Sequence, residues 1–337
     1  MAKSYHCPNC AANLVFDPDA RKMACAFCGT RISPDDVVSH EAVNGFVQGE
    51  EWAEDAACFL CSNCGAKSIT DASTVATFCA FCGAPSMSVT TGSGVKPMRL
   101  LPFQYGREMA ERAFLQWCRK SWFLPNSFTS KKQIEKLTGM YVPFWLFTWP
   151  VDVDCSYLDV ARKKDTGSVI GGYIQRVRKG RLLWEKIPLD GSSHIRDDLM
   201  ECIEPYDFKQ LFRFDTKYLA GFFAESYDLP AENLLRRGYL RVKDFVRGFC
   251  GEGRVNFNDH STYHLPTAEY VYLPVWFLNY TYRGKTYSFA LNGQTGKVAG
   301  DQPISRWKLC LFLLAVFVFL MIVVVFLGTR ALGGMFL

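Results

Sequence analysis

Eight of the fourteen cysteines stand at spacings that make metal sites. Cys7-Pro-Asn-Cys10 and Cys25-Ala-Phe-Cys28 are separated by fourteen residues, as are Cys61-Ser-Asn-Cys64 and Cys79-Ala-Phe-Cys82. Each cysteine of the second set lies 54 positions after its counterpart. A C-x2-C pair closes a tight turn that points two thiolates at one ion, and two such turns complete a tetrahedral four-cysteine site. The spacing predicts two structural zinc ions, one on Cys7, Cys10, Cys25 and Cys28, the other on Cys61, Cys64, Cys79 and Cys82. Gly29 and Gly83 follow the second pair of each set, where such a turn needs positive φ. Four thiolates leave no open position, so neither ion is set up to activate water. Cys58 forms an overlapping C-x2-C with Cys61 and competes for the second site; the 54-residue register assigns the ligands to Cys61 and Cys64 and leaves Cys58 a spare or buried thiol.

Other chemistry is thin. Gly284-Lys285-Thr286 ends like a P-loop, but position 279 is Asn and the context reads as a hairpin. His260 and His264 are four apart in a loop-like stretch, a weak metal signal. Cys118, Cys155, Cys202 and Cys250 have no partner at ligand spacing and read as core thiols. Spacing alone identifies no nucleophile–base set, which argues against an enzyme.

The cysteine pairs sit on small ribbons that need the metal to fold. Each ion contributes on the order of 10 kcal/mol, which a piece of about forty residues cannot find in its own core. The expected organisation is ribbon 1 over 1–34, an acidic connector over 35–57, ribbon 2 over 58–85 and a flexible polar linker over 86–96. An α+β domain follows over 97–303. Residues 1–90 carry net −5 and the remainder net +10. Phosphate binding draws on clustered Lys and Arg, so the acidic head argues against nucleic acid and for protein–protein contact. A head on a flexible linker also predicts that a chain lacking 1–85 keeps a folded body.

Within the α+β domain, Ala110, Ala113, Phe114 and Trp117 share one face of a helix predicted over 104–122. Ser130 with Gln133 reads as a capping box, and Gly139 as the stop of that short helix. Tyr141-Val-Pro-Phe-Trp145 and Tyr272-Leu-Pro-Val-Trp276 repeat a Tyr-x-Pro-x-Trp pattern 131 residues apart, suggesting two related β units. Pro143 and Pro274 cannot donate to a ladder and are expected at strand starts, edges or bulges; the tryptophans are expected in the core. Further strands are expected at 151–160, 168–178 and 181–188, then a helix from Pro230 to Phe249 with Pro at its first position. Tyr282-Arg283-Gly284-Lys285 reads as a hairpin turn.

Leu309 to Leu327 are nineteen consecutive apolar residues, long enough at ~1.5 Å per residue to cross a ~30 Å hydrocarbon core. A single transmembrane helix is expected over 307–328, with a short tail at 329–337. Arg306 and Lys308 precede the span and Arg330 alone follows it, a positive-inside bias that places the body in the cytosol. Thiolate metal sites agree with a reducing compartment, and the N-terminus has no apolar signal segment. The chain reads as a single-pass, tail-anchored protein of the cytoplasmic membrane. Residues 162–186 hold eight basic and two acidic residues; Arg162, Lys163, Lys164, Arg176 and Arg178, with Arg306 and Lys308, are candidate contacts for anionic lipid headgroups.

The CPNC…CAFCG ribbons, YVPFWLF, the stretch YLPVWFLNYTYRGKTYSFALNGQTGKVAGDQP and the apolar tail together resemble a family of bacterial membrane proteins labelled transcription factor IIB-type zinc-ribbon proteins. Members often occur beside genes for SPFH-domain and phage shock protein A-like membrane-stress proteins. The resemblance implies a non-enzymatic membrane adaptor or scaffold whose ribbons recruit such partners. A membrane-tethered nucleic-acid binder, an enzyme seated in the α+β domain and a self-assembling homo-oligomeric scaffold are the alternatives.

Overall fold

A computed structural model describes residues 14–26, 28–34, 57–70, 79, 81, 87–90, 95–165, 168–251 and 255–333. The acidic connector, apart from Ala57, lies outside them. The first ribbon contributes β1 (Leu14–Asp17), β2 (Lys22–Cys25) and β3 (Arg31–Ile32), an antiparallel sheet of its own. The second contributes β4 (Ala57–Cys61) and β5 (Lys67–Thr70). Met87–Thr90, expected as linker, is instead β6, paired antiparallel with β4. The body then runs β7 (Arg99–Leu100), α1 (Arg107–Arg119), α2 (Lys131–Ile134), β8 (Thr138–Asp165), β9 (Ser168–Asp190) and α3 (Asp197–Cys202). It continues with β10 (Phe212–Arg213), β11 (Phe223–Glu225), α4 (Ala231–Cys250), β12 (Val255–Asp259), β13 (Thr262–Tyr263), β14 (Thr267–Tyr282), β15 (Lys285–Asn292) and β16 (Val298–Gly300). The C-terminal helix is α5 (Arg306–Gly333). The class is α+β, dominated by one large sheet that runs β10-β7-β14-β8-β11-β5-β4-β6 along its main path.

The ribbons are built into the body rather than hung from it. β5 pairs antiparallel with β11, which pairs parallel with β8, so ribbon 2 extends the central sheet. Leu14, Phe16 and Met23 of ribbon 1 are buried in the same core as Phe103, Tyr218 and Phe222. The Phe16 amide donates to the Ala220 carbonyl at 3.2 Å. These contacts correct the expectation of a separate head: apolar strand faces on both sides of the boundary bury each other.

The two Tyr-x-Pro-x-Trp segments pair with one another in the middle of the sheet. β8 and β14 run antiparallel with Tyr141 opposite Pro274 and Pro143 opposite Tyr272. Both prolines therefore lie inside long strands, contrary to the expected edge or start. Each proline carbonyl accepts from the amide of a glycine just past the neighbouring strand, Gly191 to Pro143 at 2.8 Å and Gly293 to Pro274 at 2.9 Å. Each indole donates to a carbonyl just ahead of a helix: Trp145 to Leu229 before α4 (3.0 Å) and Trp276 to Tyr105 before α1 (2.8 Å).

Helix ends differ in detail from expectation. α1 is shorter than 104–122, with Ala110 and Phe114 fully buried as the periodicity predicts. Ser130 and Gln133 form no capping box, because Ser130 donates to the Ser127 carbonyl and Gln133 to the Asn279 carbonyl. Gly139 is not a helix stop but the second residue of β8; a Cβ there would lie 2.7 Å from the Phe222 ring. Pro230 is the N-cap of α4 rather than its first residue, and Gly251 closes the helix at φ 95°. Arg283 and Gly284 both take positive φ in the two-residue turn joining β14 to β15, as expected of a hairpin.

The strands expected separately at 151–160, 168–178 and 181–188 belong to one long hairpin of β8 and β9. It leaves the central sheet at a register shift between Phe147 and Trp149, where Lys186 takes positive φ, and continues as an arm. Helix α4 lies along one face of the arm. Leu234, Val242, Val246 and Cys250 recur every fourth position (with Gly238 between) and pack on Trp149, Val151, Val153 and Cys155. The neighbouring stripe meets β9: Arg237 with Asp190, Phe245 on Trp184 and Phe249 under Arg178. Cys155 and Cys250, expected as separate thiols, form a disulfide between β8 and the end of α4. Of the other two expected core thiols, Cys118 is buried and Cys202 is exposed.

Candidate metal centre

The best-defined cluster of ligating side chains among the described residues is Cys61, Cys64 and Cys79, whose sulfurs all lie within 4.8 Å of one another. Cys64 and Cys79 are 3.6 Å apart. Zn–S bonds of ~2.3 Å in a tetrahedron put neighbouring sulfurs ~3.8 Å apart, so the three thiols fit one ion. Cys82, the expected fourth ligand, lies outside the described residues, as do Cys7 and Cys10 of the first set.

Local backbone explains how the thiols converge. The amide of Gly65 donates to the Cys61 carbonyl and that of Cys61 to the Ala66 carbonyl, both at 2.9 Å, with Gly65 at φ 77°. The same knot recurs at Cys25: Gly29 donates to Cys25 and Cys25 to the Thr30 carbonyl, again at 2.9 Å, with Gly29 at φ 73°. Two turns 36 positions apart thus share one geometry, the one that turns both cysteines of a C-x2-C pair to the same side. In the first ribbon Cys25 is buried and Cys28 is exposed, with the Thr30 hydroxyl 3.0 Å from the Cys28 sulfur.

Cys58 takes no part in the cluster. It is three residues before Cys61 on the same strand, so alternation sends the two side chains to opposite faces. Cys58 belongs to the main core beside Ile69, and burial pushes its thiol pKa up against the opposing pull of Lys67. That favours a neutral thiol, not a ligand.

The cluster is fastened to the body through residues that sequence spacing does not reveal. The Cys64 backbone lies close enough to His194 to help raise its pKa, and the His194 ring lies 5.7 Å from that of Phe81. On its other side His194 Nδ1 is 3.1 Å from Glu225 Oε1, which also accepts from the Ser192 hydroxyl at 2.8 Å. Glu225 is 1% exposed and lies opposite Ser68 in the β11–β5 ladder. Its hydrogen bond raises the His194 pKa, while burial raises that of Glu225. Asn279, just past the second Tyr-x-Pro-x-Trp segment, donates its side-chain amide to the Phe81 carbonyl. Ser192, His194, Glu225 and Asn279 are scattered over 88 positions, and only the sheet brings them to the cysteines.

The residues expected at the membrane fall in two places. Arg306 and Lys308 begin α5; Lys308 Nζ donates to the Leu124 carbonyl and to Asn126 Oδ1, each at 2.7 Å. Arg162, Lys163, Lys164, Arg176 and Arg178 are all on the arm. The arm is less basic than the 162–186 count implies. Arg181 faces Asp152 at 3.7 Å, Lys179 faces Asp154 at 2.8 Å and Arg176 lies 3.6 Å from Asp159. Arg178 donates to the Phe249 carbonyl and stacks over its ring at 5.0 Å. His264, half of the His pair, bonds Asp152 at 2.7 Å and joins no metal group among the described residues.

Helix α5 is long and apolar enough to span a bilayer, with mean hydropathy 2.8 over Arg306–Val324 and none of that stretch buried. A Bacillus subtilis (strain 168) protein, the uncharacterized protein YdjG, is 34% identical over 321 residues, covering 91% of this chain and 92% of its own. No protein-family model and no solved structure matches the chain.

Proposed function

The chain belongs to the family of Bacillus subtilis YdjG, related along nearly its whole length, and we propose that it is a non-enzymatic membrane adaptor or scaffold. One observation carries the reading: an apolar helix of spanning length stands exposed, and its first turns are bound to the body by Lys308 and by Phe123 against Phe312. Such a helix holds everything before it at a bilayer surface. Two zinc ions, on Cys7, Cys10, Cys25 and Cys28 and on Cys61, Cys64, Cys79 and Cys82, give the ribbons their rigidity. The burial of Cys61 and Cys79 suits a structural ion rather than one that binds substrate. The paired Tyr-x-Pro-x-Trp strands, each with its proline–glycine hydrogen bond and indole-to-helix contact, support descent from two copies of one αββ unit.

The ribbons and the acidic connector form the recruiting surface, and the resemblance to zinc-ribbon membrane proteins suggests an SPFH-domain or phage shock protein A-like partner. Because ribbon strands share the body's core, the test alters charge and not the fold. Glu50→Lys, Glu51→Lys, Glu54→Lys and Asp55→Lys are combined, and partners are recovered from solubilised membranes at equal expression. Loss of the partner with unchanged membrane insertion is expected; undiminished recovery moves the binding site to the α+β body.

The expected side is the cytosol. The disulfide Cys155–Cys250 favours a second reading, a body facing an oxidising compartment. In a cytosolic body the same pair is held as two thiols.

A further inference from the structure

We propose that the loop at 119–126 is a second membrane contact, seated in the lipid headgroup region beside the root of α5. This deepens the tail-anchored reading and rests on it. The loop follows α1 and is held from both sides. Leu124 is buried in the main core, and the amide of Ser305 donates to the Phe123 carbonyl at 2.7 Å. The Phe123 ring meets Phe312 edge-on with centroids 5.4 Å apart. Phe312 is the fourth residue of the apolar run from Leu309, so it lies ~4.5 Å along the helix axis inside that run. A bilayer that receives Leu309–Leu327 therefore reaches the side chain that Phe123 touches, and the loop has nowhere to sit but at the interface.

The exposed residues around this contact have the chemistry of that interface. Trp122 is 80% exposed, Trp307 72% and Ile304 56%, large apolar groups that the protein leaves mostly uncovered. Tryptophan is favoured at headgroup depth, where its ring is shielded and its N–H stays wet. Arg119, Lys120 and Arg306 are exposed beside them and complement anionic headgroups. The Lys308 ammonium, nearer the apolar run, already donates two hydrogen bonds, to the Leu124 carbonyl and to Asn126 Oδ1. Two contacts, helix and loop, fix the rotation of the body about the helix axis, which a single span through a flexible joint does not.

The test uses the full chain labelled with 5-fluorotryptophan in vesicles of phosphatidylethanolamine and phosphatidylglycerol. Trp122→Phe and Trp307→Phe assign two of the eight fluorine resonances; both side chains are exposed, so neither change disturbs the core. A lipid carrying a nitroxide near the carbonyl region of its chains is then added. Loss of the Trp122 and Trp307 resonances together, with survival of resonances among the other six tryptophans, is the expected result. Survival of Trp122 while Trp307 is lost overturns the loop contact and leaves the anchor standing. Survival of both removes the anchor itself, and the loop proposal with it.

Discussion

At the scale of single residues, the cysteines divide by which face of a strand they occupy. On the proposed two-zinc reading, Cys61→Ser removes one thiol of the Cys61, Cys64 and Cys79 cluster and should unfold the second ribbon and release one of two zinc ions, measured as metal per chain by elemental analysis. Cys58→Ser changes a neutral core thiol and should leave the metal count at two. One ion or none in the unaltered protein would sink the assignment. Asp190 supplies a pH-dependent term away from the metal. It is fully buried, and burial lifts its pKa from the ordinary 3.8 to about 6, against the pull of Arg237 whose Nη2 is 2.8 Å away. The unfolded chain gives up this proton at lower pH than the native one. Stability from this site is therefore complete below about 4 and lost as pH rises through about 6. Asp190→Asn should flatten the melting temperature across that window; an unchanged slope would assign it to other groups.

The elements set where side chains have room. In β8, Gly139 lets the strand pass against Phe222 and Trp276, and a Cβ would enter at 2.7 Å from one ring and 3.2 Å from the other. Gly139→Ala should cost about 1–3 kcal/mol, the usual penalty for overpacking a core. Gly180→Ala on the arm, where a Cβ meets nothing within 4 Å, should be close to neutral. Denaturant midpoints of the two variants in detergent make the comparison, and equal losses would contradict the packing described. The bulge at Lys186 marks the same division: above it the hairpin shares the central core, beyond it α4 alone covers one face.

For the whole molecule, the shared core has a direct consequence. Removing residues 1–85 strips Leu14, Phe16, Met23 and Ile69 from the principal hydrophobic cluster and unpairs β11 on one side. Losing several buried apolar side chains at ~1.5–3 kcal/mol each is comparable to the whole stability of a typical domain. The truncated chain should accumulate poorly and be digested by protease faster than full-length protein in detergent; a resistant body would show that the ribbons are dispensable. Topology is read from the same molecule. With the body in the cytosol, alkylation of acid-quenched cells should recover Cys155 and Cys250 as two modified thiols, and an impermeant thiol reagent should miss every ribbon cysteine. A persistent Cys155–Cys250 bond with labelling from outside would reverse the orientation.

Periodicity, spacing and run length are local properties, and what they control was legible in the chain. The knot at Cys25–Gly29 follows from a C-x2-C-G pentapeptide, the buried face of α1 from Ala110 and Phe114, and the C-terminal helix of spanning length from nineteen apolar residues. Contacts between distant segments were not legible, because strand pairing is decided by which apolar faces can cover each other. Pro143 and Pro274 look like edge residues one at a time. They stand in the sheet centre because each lies opposite the other's tyrosine, with its carbonyl met by a glycine amide. The basic count at 162–186 suggests a charged patch, yet Asp152, Asp154 and Asp159 on the partner strand answer it across the hairpin. His194 and Glu225 carry no motif; β11 delivers Glu225 to the second ribbon by pairing with β5, and Glu225 in turn holds His194, which follows β9. The same pairing merges the second ribbon with the body, and burial of Leu14, Phe16 and Met23 in the main core merges the first; both outcomes depend on which apolar faces cover each other and so belong to the tertiary structure alone.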